Sequence, residues 1–159
     1  MKPAPFDYHR PATVDEAVAL LDRHGPDTKV LAGGQSLLPM MKLRLARPTA
    51  LVDINRVREL AYVRAADDGL AFGALARLDE LESDEVRRRC PILADVARAI
   101  AHAAIRHRGT VCGSLAHADP AAELPVAALV LEADLVAAGG SGGGRDRGGG
   151  GLRHARQGA

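Results

Sequence analysis

The chain has 159 residues, of which 47% are hydrophobic and 26% charged, and its formal net charge is +1. This length and composition predict about one globular domain with a real core. The nearly balanced charge and the scarcity of aromatic side chains (no Trp, two Tyr, two Phe) argue against nucleic acid as a partner.

No apolar run in the sequence approaches the ~20 residues that a transmembrane helix needs. The N-terminal segment carries acids early and has no apolar core of the signal-peptide type. We therefore expect no membrane span and a cytoplasmic location. Cys90 and Cys112 show no CxxC spacing, so we expect two reduced thiols and no metal site.

The first 55 residues have the pattern of a small lobe that mixes helices and strands. Thr13-Val-Asp-Glu16 is a capping box that predicts a helix start, and Gly25-Pro26 predicts its end. The predicted elements are a helix to about residue 24, a short buried strand over 28–32, a helix over 37–42 and a strand over 50–54.

The next segment, about 56–138, predicts a second lobe. Apolar runs over 61–65 and 70–74 flank Asp67-Asp68-Gly69, which is typical of a hairpin. Helical patterns follow over 78–81, 84–89 and 92–107, and Gly109 ends the last of them. Asp119-Pro120 resembles a helix start. Pro125 leaves two alternatives open: one short turn before a kink, or a helix from near Pro125 to about Ala133.

The composition changes abruptly after Ala138. Residues 139–159 contain ten of the seventeen glycines and four arginines against one acid, a net charge of +3. Such a segment offers too little apolar area to order itself, so we expect a disordered Gly/Arg-rich tail.

Two glycine-containing motifs are candidates for one phosphate site. In AGGQSLL, Gly33 and Gly34 would let the backbone approach a pyrophosphate, and Ser36 would donate its hydroxyl and cap the next helix. The second motif is TVCGS, residues 110–114. Taken alone, each motif has a simpler interpretation. The first would be a turn after a strand, and the second a helix C-cap followed by a turn. Neither GxGxxG nor GxxxxGK[ST] occurs. Together the two motifs favour a phosphate site.

The stretches AGGQSLLPMMKLRL, ALVDIN and IRHRGTVCGSLAHADPAAELP resemble the FAD-binding subunit of the molybdenum hydroxylases, the xanthine and aerobic carbon monoxide dehydrogenase group. The resemblance covers about residues 6–138. It implies an α+β, two-lobed FAD-binding fold of the vanillyl-alcohol oxidase/PCMH type. A small parallel α/β lobe (about 1–55) and a larger lobe with an antiparallel sheet and helices (about 56–138, incomplete at the C-terminus) would hold FAD between them.

The resemblance also implies the site residues. The first pyrophosphate loop corresponds to Ala32, Gly33, Gly34, Gln35, Ser36 and Leu37. The second corresponds to Thr110, Val111, Cys112, Gly113 and Ser114, where many relatives have a glycine in place of Cys112 and an asparagine in place of Ser114. Asp119 and Glu123 match positions near the sugar or ribityl portion, and Ile100 an apolar position beside the cofactor. The alternative interpretations are a helix cap for Asp119, a solvated acid for Glu123 and core packing for Ile100.

The implied function is that of a flavoprotein electron-transfer subunit. Substrate would be oxidised on a large molybdenum-cofactor subunit, electrons would cross a small 2Fe-2S subunit, and FAD would pass them to NAD, quinone or oxygen. No catalytic acid or base is implied, because the cofactor supplies the chemistry. The alternative is a non-catalytic remnant that folds partly and binds FAD weakly or not at all. The resemblance implies a longer chain, and a change of reading frame or a true low-complexity tail would both explain the segment after residue 138.

Overall fold

The computed structural model describes residues 2–66, 69–139 and 151–153. The fold is α+β and contains one parallel and one antiparallel sheet. The strands are β1 (Asp7–His9), β2 (Thr28–Leu31), β3 (Ala50–Asp53), β4 (Val63–Ala66), β5 (Gly69–Phe72), β6 (Asp134–Val136) and β7 (Gly151–Arg153). The helices are α1 (Val14–His24), α2 (Leu37–Lys42), α3 (Asp84–Arg89), α4 (Pro91–Ala99), α5 (Ala103–Arg106), α6 (Val111–His117) and α7 (Glu123–Val130).

The first lobe is a three-stranded parallel sheet in the order β1-β3-β2, and α1 packs on it. All four residues of the central strand β3 are buried. The predicted N-cap forms at α1, where the Glu16 amide donates to Thr13 Oγ1 at 3.2 Å, and Gly25 ends the helix with φ of 75°. The Glu16 carboxylate accepts from the Ala12 amide at 2.8 Å, so the second half of the predicted capping box is displaced by one residue. The prediction of a buried strand over 28–32 is wrong in part. Because β2 lies at the sheet edge, Val30 is 44% exposed and only Thr28 is buried.

The second lobe is built on an antiparallel sheet in the order β4-β5-β7-β6. The predicted hairpin is present as β4 and β5, while Asp67 and Asp68 of its turn lie outside the described residues. Helices α3, α4, α6 and α7 contribute buried apolar side chains to one core with β5, in which Phe72, Leu81 and Val86 have no exposed area.

The single helix predicted over 92–107 is wrong, because the chain breaks between α4 and α5. Ala101 adopts a positive φ of 41°. The Arg106 guanidinium donates to the carbonyl oxygens of Ile100 and Ala101 at 3.1 and 3.0 Å, which satisfies acceptors that the broken helix leaves open. The spacing of apolar residues alone cannot predict this break, because it depends on a contact of the Arg106 side chain.

Two predictions near the C-terminus concern the helix at Pro125 and the disorder of residues 139–159. The helix predicted near Pro125 is α7, which begins at Glu123 and holds Pro125 in its first turn, where a missing amide hydrogen costs nothing. The predicted disorder of 139–159 is wrong for Gly151–Arg153, which form β7 between β5 and β6. Residues 140–150 and 154–159 lie outside the described residues, and the boundaries at 55 and 138 stay predictions. Among the described residues, no helix combines the length and apolar character needed to cross a membrane.

Candidate functional site

The first glycine motif connects β2 to α2 and presents open backbone donors. Gly34 has φ of 72°, which glycine adopts without a steric penalty. The amides of Gly34, Gln35 and Ser36 donate to no acceptor in the described part of the chain. Successive free N–H groups in a turn are the kind of donors that can bind an anion.

The predicted capping role of Ser36 is wrong. Ser36 already has a helical backbone conformation, with φ of −99° and ψ of −49°, and its side chain makes no capping hydrogen bond. The Leu38 amide bonds instead to the Gly34 carbonyl at 3.1 Å. The Gln35 side chain folds back and donates to the Gly33 carbonyl at 3.1 Å, which stiffens the loop.

The second motif is the start of a helix rather than a loop that precedes one. Thr110 is the N-cap of α6, and its hydroxyl accepts from the Gly113 amide at 3.2 Å. The Ser114 amide donates to the Thr110 carbonyl at 3.0 Å, and the Val111 amide to the Ala76 carbonyl at 2.9 Å. A helix C-cap at this motif, the simpler sequence interpretation, is therefore excluded.

The first motif lies against the backbone just before the second motif. A Cβ added at Gly33 would lie 2.4 Å from the Arg108 carbonyl oxygen and 2.7 Å from the Gly109 Cα. Both atoms belong to the backbone just before the second motif. Only glycine permits this approach, so Gly33 is required for the two lobes to meet here.

Asn55 and Arg77 connect the two motifs, and sequence analysis missed both. Asn55 Nδ2 donates to the Ala32 carbonyl at 2.8 Å, beside the first motif. Arg77 Nη2 donates to Asn55 Oδ1 at 2.9 Å, and Arg77 Nη1 donates to the Arg108 carbonyl. The available signal was the position of Asn55 after the carboxyl end of a strand in a parallel sheet, where ligand sites tend to lie.

Asp53 orients Asn55 from the end of β3. Its Oδ1 accepts from the Asn55 amide at 2.9 Å, its Oδ2 accepts from the Tyr8 hydroxyl, and Arg10 Nε lies 3.6 Å from Oδ2. Burial raises the pKa of Asp53, but the hydrogen bonds from Tyr8 and Asn55 and the Arg10 charge outweigh it, and the net pKa is lowered. The hydrogen bond to Asp53, followed by burial, raises the pKa of Tyr8. Asp53 is therefore an ionised acceptor.

A cavity of about 370 Å³ lies at this junction, lined by Arg10, Asp53, Asn55, Arg77, His107 and Arg108. Three arginines against one carboxylate give its wall an excess of positive charge. A pyrophosphate is anionic and accepts several hydrogen bonds, so this charge suits the phosphate portion of FAD. The residues that line the cavity include none of the predicted site residues, and the open amides of Gly34–Ser36 lie outside its lining.

The remaining predicted site residues do not line the cavity, and some of them contact other parts of the protein. Ile100 is half-buried and packs against the core of the second lobe. Asp119 is exposed and accepts from the Ala121 amide at 2.9 Å in a turn, so it does not cap α7. Glu123 is the exposed first residue of α7. Cys112 Sγ lies 3.7 Å from the Gly73 carbonyl. The contacts of these four residues with a cofactor stay predictions, as do those of Leu37.

Comparison with known proteins identifies the family. Residues 4–146 match the model of the FAD binding domain in molybdopterin dehydrogenase. The chain belongs to this family. It is 50% identical over 138 residues to the 6-hydroxypseudooxynicotine dehydrogenase complex subunit alpha of Paenarthrobacter nicotinovorans, covering 86% of this chain and 47% of that one. It is 46% identical over 143 residues to the carbon monoxide dehydrogenase medium chain of Hydrogenophaga pseudoflava, covering 89% and 50%.

A solved structure of carbon monoxide dehydrogenase from Hydrogenophaga pseudoflava shares the fold, with a TM-score of 0.81 and 47% identity over 84% of this chain and 47% of that one. The expected fold class is thereby confirmed, and the family indicates FAD as the cofactor. The chain spans about half the length of the curated relatives it matches.

Proposed function

We propose that this chain holds the FAD of the electron-transfer subunit of a molybdenum hydroxylase complex. The observation that carries the proposal is the set of three free amides at Gly34–Ser36, next to a junction lined by arginines. These groups would bind the pyrophosphate, and Asn55 and Arg77 would hold the two motifs at a fixed separation. When bound, FAD supplies the electron transfer, and the chain supplies placement.

The proposed partners are a large molybdenum-cofactor subunit and a small 2Fe-2S subunit, with NAD, quinone or oxygen as the acceptor. Relatives support this assignment because they include a complex subunit alpha and a medium chain of dehydrogenases. The chain itself is then an oxidoreductase subunit that turns over only within the assembly. The cytoplasmic location stays a prediction.

A titration of the purified chain with FAD, followed by flavin fluorescence, tests the proposal. We expect saturable binding at one site in the micromolar range or weaker, because the motifs supply the phosphate contacts and the chain spans about half the length of its curated relatives. ADP, which shares the pyrophosphate, should compete, whereas riboflavin, which lacks it, should not. Absence of saturable binding would contradict the proposal.

The exposed apolar face of α7 favours the alternative of a non-catalytic remnant. Val126, Leu129 and Val130 are 56%, 79% and 65% exposed, and such a face favours association with other chains. Under this alternative the chain folds partly, self-associates and binds FAD weakly or not at all, without a saturable one-site curve. Analytical ultracentrifugation beside the titration separates the two functions. A Leu129→Glu chain that becomes monomeric yet still fails to bind FAD would support the remnant.

A further inference from the structure

We propose that Asp7, His9 and His24 form a binding site for a divalent transition cation of the Zn²⁺ type on the first lobe. One carboxylate oxygen and one ring nitrogen from each histidine all lie within 4.8 Å of one another. The site is separate from the glycine motifs, and its assignment does not depend on FAD. Cysteine spacing indicated no metal site, and the approach of β1 to the end of α1 is not visible in the sequence.

The local fold explains why the three side chains converge. Asp7 and His9 are two residues apart on β1 and therefore share one face of the sheet. His9 is in register with Val52 of β3, which packs in the core with Ala17 of α1. That face is thus the one that α1 covers, and His24 is the last residue of α1. The rings of His9 and His24 lie with their centroids 4.4 Å apart.

The groups are available for a ligand. Within the described part of the chain, none of the three side chains forms a hydrogen bond or an ion pair. His9 Nε2 is buried and has no hydrogen-bond partner. A buried polar atom without a partner is costly, and an imidazole nitrogen is a preferred ligand of Zn²⁺. The carboxyl end of α1 also favours a cation through its backbone carbonyls.

The donor set suits a partly open site. Tetrahedral Zn²⁺ with bonds of about 2.0–2.2 Å needs ligand atoms roughly 3.3–3.6 Å apart. Small side-chain rotations would bring the three ligand atoms to this spacing. Two imidazoles and one carboxylate supply three positions. Asp7 is exposed, which leaves the fourth position to water. The bound cation would tie β1 to the C-terminal end of α1 and stabilise the first lobe.

Calorimetric titration of the untagged chain with ZnCl2 tests this site, with Co²⁺ as a spectroscopic probe of coordination number. We expect one Zn²⁺ per chain at micromolar or tighter affinity, a melting temperature raised by several degrees, and visible bands of four-coordinate Co²⁺. His24→Gln, His9→Gln and Asp7→Asn should each weaken binding at least tenfold. The exposed His102→Gln should bind as the unmodified chain does.

Folding of each variant is checked by circular dichroism. If His9→Gln fails to fold, His24→Gln and Asp7→Asn still decide, because Gln is a good helix former at the end of α1 and Asp7 is exposed. The proposal is overturned if the unmodified chain binds no Zn²⁺, or if folded His24→Gln and Asp7→Asn chains keep the same affinity and Co²⁺ spectrum.

Discussion

The two glycine motifs look alike in sequence but use their backbone groups differently. Each contains a glycine and a serine. In the first, the amides of Gly34, Gln35 and Ser36 are free. In the second, the amides of Val111, Gly113 and Ser114 are already bonded to protein acceptors. The first motif is therefore the better anion donor, and the second is a rigid support against which the first is placed.

Gly33 and Gly113 also differ in what surrounds them. At Gly33 an added Cβ would meet backbone atoms of the neighbouring segment, which cannot move without separating the lobes. At Gly113 an added Cβ would lie 2.4 Å from Thr110 Oγ1, a side-chain atom that can rotate away at the cost of the N-cap. One glycine permits a tertiary contact, and the other permits a local cap.

The largest expected effect separates these two roles. Gly33→Ala should lower the free energy of unfolding by about 3 kcal/mol, because two backbone segments must move apart, and FAD affinity should fall with it. Gly113→Ala should cost only about 1 kcal/mol, the typical value of a lost N-cap. Urea unfolding measures both. A larger loss for Gly113→Ala than for Gly33→Ala would refute the distinction.

Arg77→Lys tests the connection between the motifs. A lysine ammonium cannot reproduce the two donors by which Arg77 holds Asn55 and the Arg108 carbonyl, so FAD affinity should fall about tenfold, or ~1.4 kcal/mol. Arg98→Lys, at a surface ion pair with Asp95, is the control and should change nothing. In a double-mutant cycle with Asn55→Ala, strictly additive losses would show that the two side chains do not act together.

Gly34→Ala tests the open donors with a matched control. Gly34 and Gly25 both have a positive φ, 72° and 75°, so alanine at either position should cost on the order of 1–3 kcal/mol of stability through strain. Only Gly34→Ala should also weaken FAD binding, by several-fold, because its Cβ would crowd the Leu31 and Leu38 side chains beneath the loop. Equal FAD titrations for the two variants would place the phosphates elsewhere.

The smallest effect concerns acid stability. The pKa of Asp53 is lowered in the folded chain, so its stabilising contribution is present above the unfolded value of about 3.9 and is lost as pH falls through the folded pKa. Unfolding free energies between pH 7 and 5 should not change because of Asp53. Below about pH 4 the unmodified chain should lose more stability than Asp53→Asn does. Parallel curves for the two chains over pH 4 to 2 would contradict this assignment.

The sequence predicted the elements whose signals are local. Thr13 with Glu16, Gly25 and the run over 37–42 predicted the bounds of α1 and α2 closely, since caps and turns depend on near neighbours. The break at Ala101 was missed because it depends on the Arg106 side chain. β7 was missed because it lies in a glycine-rich segment and one of its pairing partners, β5, lies far away along the chain.

The candidate site was predicted in part for the same reason. The residues of both motifs could be named from their glycines and from the family resemblance, and the contact at Gly33 supports the expectation that they meet. The roles of Asn55 and Arg77 could not be predicted, because each acts through a carbonyl more than twenty residues away. Likewise, the bonded state of the Gly113 amide is a property of the folded helix start.

Amide hydrogen exchange followed by NMR, with and without FAD, tests the difference between the motifs most directly. We predict that Gly34, Gln35 and Ser36 exchange rapidly in the free chain and become protected when FAD is added, because their N–H groups then acquire acceptors. The amides of Gly113 and Ser114 should already be protected without FAD. Unchanged exchange at Gly34–Ser36 under saturating FAD, or rapid exchange at Gly113 and Ser114 in the free chain, would contradict the account.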